Sequence, residues 1–150
     1  MSELFKKLNF KEQAAILCLN APESLEAELA QMSRQVPVIR AADQSEHISF
    51  ALVFVTSEAE VEETIASFFH RLEGDAVLWY CYPKGSSKRY KSTINRDHGW
   101  APLGKRELEP VRQIAIDEDW SALRFRKTTY IKTMKRSFAI SESGKQKSGK

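Results

Sequence analysis

Ala76-Val77-Leu78-Trp79-Tyr80-Cys81-Tyr82 is an unbroken apolar run that passes directly into Pro83-Lys84-Gly85-Ser86-Ser87-Lys88-Arg89-Tyr90-Lys91. The run is too short to cross a bilayer and shows no alternation of polar and apolar residues. It therefore reads as a strand covered on both faces, the kind found in parallel sheets packed between helices. In open sheets of that class, ligands collect beyond the carboxyl ends of the strands. The loop that follows is thus the expected site, and it brings Lys84, Lys88, Arg89 and Lys91 to it.

Upstream, the chain alternates between strand and helix signals. Leu4, Phe5 and Leu8 predict a short amphipathic helix closed near Asn9, and Ala14 to Leu19 predicts a first strand. Pro22 suits a first helical turn, and Leu25, Leu29 and Met32 recur at helical spacing as far as Ser33. Val36 to Ala41 predicts a second strand, and Ile48 to Val55 a longer, central one. Ser57 followed by Glu60 is a capping-box pattern, in which each side chain satisfies the other residue's free N–H. Val61, Ile65, Phe68, Phe69 and Leu72 form the buried face of the helix it opens, with Gly74 as the stop.

Downstream, Asn95 to Lys105 predicts a helix interrupted by Gly99 and Pro102. Val111 to Ile116 and Ser121 to Arg126 alternate around Asp117-Glu118-Asp119, the pattern of an antiparallel hairpin, with Trp120 packed on the sheet edge. Tyr130, Met134 and Phe138, spaced by four among basic residues, allow a final helix or a disordered basic arm. The fold class that follows is α/β: one mostly parallel Rossmann-like sheet with flanking helices and a C-terminal antiparallel hairpin. The expected division is a single domain over 1–136 and a polar basic tail over 137–150, where Ser141 to Lys150 holds no apolar residue.

The 150 residues, 42% hydrophobic and 29% charged, suffice for a core without disulfide or metal staples. Cys18 and Cys81 lie in predicted buried strands and read as structural thiols. The sequence has no membrane-spanning stretch, and its opening lacks the apolar core of a secretion signal, so a cytoplasmic protein with no membrane partner is expected. Residues 1–83 carry six basic and thirteen acidic side chains, whereas residues 84–150 carry seventeen and seven. That asymmetry suits an anionic partner for the second half. It equally suits two halves that attract each other within one fold.

Several chemistries find no footing. A nucleotide-binding sheet carries glycines in the turn after its first strand, where backbone approaches phosphate; this chain has Asn20-Ala21-Pro22-Glu23, and Glu23 repels an anion there. No cofactor is expected. The loop after Tyr82 lacks the phosphate-loop spacing, and the G-x-S-x-G elbow of an acyl-transfer enzyme is absent. Three adjacent acids at Asp117 to Asp119 cannot all face one ion, so they read as a turn. His47, His70 and His98 are too scattered for a ligand set, and no metal is expected.

The candidate ligand-binding residues are therefore Lys84, Lys88, Arg89, Lys91, Asn95, Arg96 and Asp97, with Arg89, Lys91 and Arg96 as a phosphate clamp. The leading expectation is a non-catalytic binding or interaction domain whose 83–97 segment contacts an anionic small molecule or a protein partner. One alternative is an enzyme with a pocket at the same strand ends, acting through Asp97 or His98. Another, less favoured, is salt-dependent nucleic-acid binding by the loop cations around Tyr90 and by Arg124, Arg126, Lys127, Lys132, Lys135 and Arg136.

Six further segments carry a family resemblance: Leu8-Asn9-Phe10-Lys11-Glu12, Leu19-Asn20-Ala21-Pro22-Glu23, Leu52-Val53-Phe54-Val55-Thr56-Ser57, Tyr82-Pro83-Lys84-Gly85, Ile94-Asn95-Arg96-Asp97 and Val111 through Phe125. Through them, over roughly residues 4 to 127, the chain resembles a bacterial family of small domains of unknown function. The resemblance implies a shortened methyltransferase-like sheet without the cofactor's glycine motif. It assigns no chemistry.

Overall fold

The two aromatic faces of one strand organise the molecule, whose computed structural model describes residues 1–131. Strand β4 (Leu72–Pro83) buries Val77, Trp79 and Cys81 on one side and Leu78, Tyr80 and Tyr82 on the other. Each large ring also satisfies its polar atom, as a buried Trp or Tyr must. The Trp79 indole N–H donates to the Leu8 carbonyl at 2.8 Å, the Tyr80 hydroxyl meets Thr64 Oγ1 at 2.8 Å, and Gln113 Nε2 donates to the Tyr82 hydroxyl at 2.9 Å.

Ahead of β4 come α1 (Glu3–Lys7), β1 (Ile16–Leu19), α2 (Glu26–Met32), β2 (Val38–Ile39), β3 (Ile48–Phe54) and α3 (Glu58–Phe68); after it come α4 (Ala101–Gly104), β5 (Leu108–Ala115) and β6 (Trp120–Lys127). The six strands lie in the order β2-β1-β3-β4-β6-β5. The first four are parallel, and β6 runs antiparallel to both β4 and β5. Phe5 on α1 with Leu8 just after it, and Leu29 and Met32 on α2 with Leu25 just before it, cover the Trp79 face, while Val61, Ile65, Phe68 and Leu103 from α3 and α4 cover the Tyr80 face. This is the expected α/β sheet, with β3 in its interior.

The boundaries differ from expectation for local reasons. β2 keeps only two of the six predicted residues; Pro37 cannot donate to a ladder, and its carbonyl instead accepts the Ile16 N–H. Asn9 closes α1 in the left-handed region, φ 66°. Ser57 Oγ accepts the Glu60 N–H at 3.2 Å, but Glu60 reaches back past Ser57 to the N–H and hydroxyl of Thr56. Gly74 does not stop α3. The helix ends at Phe68, a 3₁₀ turn spans Phe69–Arg71, and Gly74 (φ 55°) lies in β4, whose register against β3 shifts between Leu72 and Val77.

Two larger corrections concern the second half. The helix expected over Asn95–Lys105 shrinks to Ala101–Gly104, because Asn95 to His98 close on each other through paired backbone hydrogen bonds and Gly99 takes φ +108°. Trp120 is not at a sheet edge. The hairpin docks β6 beside β4, which leaves β5 as the edge and Trp120 only 4% exposed. Both cysteines are buried and free, and burial pushes the Cys18 thiol up to about 12. Among the described residues no helix is long and apolar enough to cross a membrane. Met134, Phe138, the basic residues from Lys132 onward and the 136/137 boundary lie outside the described range.

Candidate functional site: the crest loop after β4

The loop from Lys84 to Trp100 crosses the carboxyl ends of β4 and β3 and is fastened at three places. Lys84 N–H donates to the Asp119 carbonyl at 2.8 Å, and Ser87 Oγ donates to Asp119 Oδ1 at 2.8 Å while accepting the Arg89 and Tyr90 N–H groups. Asp119 is 9% exposed and sits in the β5–β6 turn, where Asp117 Oδ1 accepts the N–H groups of Asp119 and Trp120. The acid run is thus a turn, as expected, with one carboxylate turned to hold the neighbouring loop. Among the described residues no group of three metal-ligating side chains forms.

The second fastening is aromatic. The Tyr90 and Trp120 ring centroids lie 5.0 Å apart, Trp120 meets Phe54 edge-on at 5.0 Å, and the Arg89 guanidinium stands 5.8 Å from the Tyr90 centroid. The third is the crossing of β3, where Thr93 N–H donates to the Thr56 carbonyl at 3.0 Å. Beyond it Ile94 is buried, and the Trp100 indole N–H donates to the carbonyls of Asn95 and Arg96 while its ring packs on Tyr80, Tyr82 and Phe125. At the end of β1, where a dinucleotide-binding turn would carry glycine, Asn20 adopts φ 59° and its amide donates to the Phe54 carbonyl.

These fastenings divide the predicted residues among different cavities. One of about 430 Å³ is lined by Lys84, Lys91 and Asn95, with Ser87, Ser92 and Gly85 adding polar and backbone surface and Pro83, Tyr90 and Ile94 the apolar wall. A second, of about 320 Å³, takes Lys88 and Arg89 together with Ser86, Glu118 and Asp119. A third, of about 230 Å³, takes Arg96 with Arg112 and Gln113 at the β5 edge. Arg89, Lys91 and Arg96 therefore do not form one clamp. Asp97 and His98 are exposed and line none of the three; Asp97 lies 3.5 Å from Arg96, and its N–H is held by Asn95 Oδ1.

Charge balance separates the first cavity from the second. No hydrogen bond or ion pair to a described residue engages the Lys84 or Lys91 ammonium group, and no carboxylate lines their cleft, whereas Lys88 and Arg89 face Glu118 and Asp119. Several cations elsewhere are paired: Arg40 with Glu26, Lys105 and Arg106 with Glu62, Arg126 with Asp75. At about 430 Å³ the cleft falls in the range of small-molecule sites. It presents two ammonium donors, and an Asn95 side-chain amide whose oxygen is already taken by the Asp97 N–H.

Sequence reasoning did not find Asp119, Trp120 or the Thr56 carbonyl as the parts that shape this cleft. The pair Ser87 and Asp119, 32 residues apart, has no local signature.

No family model matches the chain, and no curated protein is similar to it. Among solved structures it is similar to a protein in the NADB-Rossmann superfamily from Streptococcus agalactiae, with a TM-score of 0.47 and 10% identity over 85% of this chain and 68% of that one.

Proposed function

We propose that this is a non-catalytic domain that binds a small anionic ligand in the cleft of Lys84, Lys91 and Asn95, and that it acts in the cytoplasm as a member of the bacterial family its motifs resemble. The observation that carries the reading is the pair of unneutralised lysines in a cleft free of carboxylates at the carboxyl ends of β3 and β4. Ligand charge supplies the charge-assisted bonds, and Tyr90, Pro83 and Ile94 give the rest of the ligand an apolar wall. A catalytic reading through Asp97 or His98 has no cavity among these three to act in.

The test is an amide NMR titration of the full chain with inorganic phosphate, a nucleoside monophosphate, S-adenosylmethionine and a short oligonucleotide, each at low and moderate salt. The expected result is saturable shifts at residues 84–95 that survive moderate salt and vanish in Lys84→Glu/Lys91→Glu, while the rest of the spectrum stays native. Shifts that persist in the double variant, or that spread over all basic residues and fade with salt, overturn the assignment.

A further inference from the structure

The sheet ends in two unlike edges. β2 offers two residues, whereas β5 runs for eight with β6 on one side and, among the described residues, no strand on the other. An open edge of that length is a template for another strand unless proline, a bulge or charge blunts it. Only the first half of β5 is blunted: Pro110 has no N–H to offer, and the register against β6 shifts between Pro110 and Arg112. Beyond the shift Arg112, Gln113 and Ala115 are exposed, and Ile114 is half-buried.

The ladder decides which amides of that stretch are free. Ile116 N–H donates to the carbonyl of Trp120, directly across the hairpin. Antiparallel pairs alternate between hydrogen-bonded and non-hydrogen-bonded, so Ala115 and Gln113 turn their N–H and C=O groups away from β6. On the Trp79 side of this edge, Ile114 and Ile116 are only partly covered by the core. At its two ends stand an exposed cation, Arg112, and an exposed acid, Glu118, and neither makes a hydrogen bond or ion pair with another described residue.

We propose that this stretch of β5 is a self-association edge, at which a second copy of the chain adds its own β5 antiparallel about a two-fold axis through Ile114. That register sets Gln113 of each copy against Ala115 of the other, so the free N–H and C=O groups satisfy one another and the bulge takes no part. Ile114 meets Ile114 of the second copy, and Ile116 lies opposite the apolar stem of Arg112, whose guanidinium is directed toward Glu118 beyond it. A strand with opposite charges at its two ends is complementary to an antiparallel copy of itself, whereas a parallel copy would set like charges together. The contact is short, at the small end of specific interfaces, so a weak dimer that forms with rising concentration is expected. The edge lies outside the lysine cleft, and the inference does not depend on what binds there.

Sedimentation velocity of the full chain, from micromolar to near-millimolar concentration, reads the association. Wild type should pass from monomer to dimer over this range and no further. Ala115→Pro removes an N–H that β6 does not use, and it should raise the dissociation constant at least about tenfold, as the loss of symmetry-related hydrogen bonds predicts. Arg112→Glu and Glu118→Arg should each associate more weakly than wild type, because each sets like charges together. Mixed in equal amounts they should dimerise as wild type does, since every charge then meets its opposite, and that recovery also shows that both variants fold. A wild type that stays monomeric, association unchanged in Ala115→Pro, or a mixture that binds no tighter than the separate variants overturns the proposal.

Discussion

The two halves of the loop that crosses the strand ends are built by different means. Residues 92–100 are loop in backbone but send two large side chains into the core: Ile94 and Trp100 are 4% exposed, and Gly99 leaves room for Ile94. Residues 84–91 are held mainly by the Ser87–Asp119 hydrogen bonds and one aromatic contact, and most of their cations point to solvent or cleft. The first arrangement fixes geometry through packing. The second leaves side chains uncommitted at a fixed place, as a binding loop on a rigid scaffold requires.

The two loop glycines give the sharpest contrast. A Cβ on Gly99 would stand 2.1 Å from Ile94 Cγ2 and 2.8 Å from Ile94 Cβ, and its φ of +108° is strained for any L side chain. Gly85 has nothing within 4 Å of the corresponding position. Gly99→Val should therefore cost roughly 2–6 kcal/mol, the sum of backbone strain and overpacking. That is a large share of the total stability of a domain this size, about 5–15 kcal/mol. Gly85→Ala should change stability by less than about 1 kcal/mol and in the stabilising direction, through the unfolded chain. Urea unfolding of both variants checks this, and equal midpoints would erase the distinction between the two halves.

Ser87→Ala should have an intermediate effect. It removes the donor to the nearly buried Asp119 carboxylate and the acceptor for two N–H groups, at a cost of about 1–3 kcal/mol. The loss should be local. Hydrogen exchange should accelerate at Arg89 and Tyr90 while the amides of residues 94 and 100 keep their protection, because the second half does not hang on Asp119. Exchange that rises equally across residues 84–100 would show that the loop moves as one piece.

Much of this architecture was legible. β4 announces itself because residues 76–82 contain no polar position, and nothing but two covered faces accommodates Trp79 and Tyr80 in succession. Ser57 and Glu60 mark the start of α3 because capping is a contact between near neighbours. What stayed hidden depends on contacts distant in sequence. Alternation in the hairpin implies one exposed face, and only the insertion of β6 beside β4 buries Trp120. Arg89 and Lys91 look like a clamp because they are two residues apart. Tyr90 is anchored on Trp120 between them, and they line different cavities. Gly74 reads as a helix stop from composition, whereas its φ serves an irregularity in β4 that the pairing with β3 imposes.

The smallest effect tests the anchored end, where the loop runs into α4. Glu62 on α3 accepts both terminal nitrogens of Arg106, at 3.0 and 3.1 Å, and lies 3.3 Å from Lys105, so the turn after α4 is tied to the helix that covers the Tyr80 face. The Arg106 hydrogen bond, helped by Lys105, holds the Glu62 carboxyl down at about 2, against an ordinary 4.5. A carboxyl whose pKa is depressed on folding stabilises the folded state above its unfolded pKa, and that contribution fades as pH falls. The window therefore runs from about 4.5 down to about 2. Wild type should exceed Glu62→Gln in stability at pH 7 by a small, salt-sensitive margin that closes across this window, because the pair is only partly buried and is screened by solvent. If the two proteins lose stability in parallel from pH 6 to pH 2, the ion pair does not hold α4, and packing of Leu103 and Trp100 alone anchors this end of the loop.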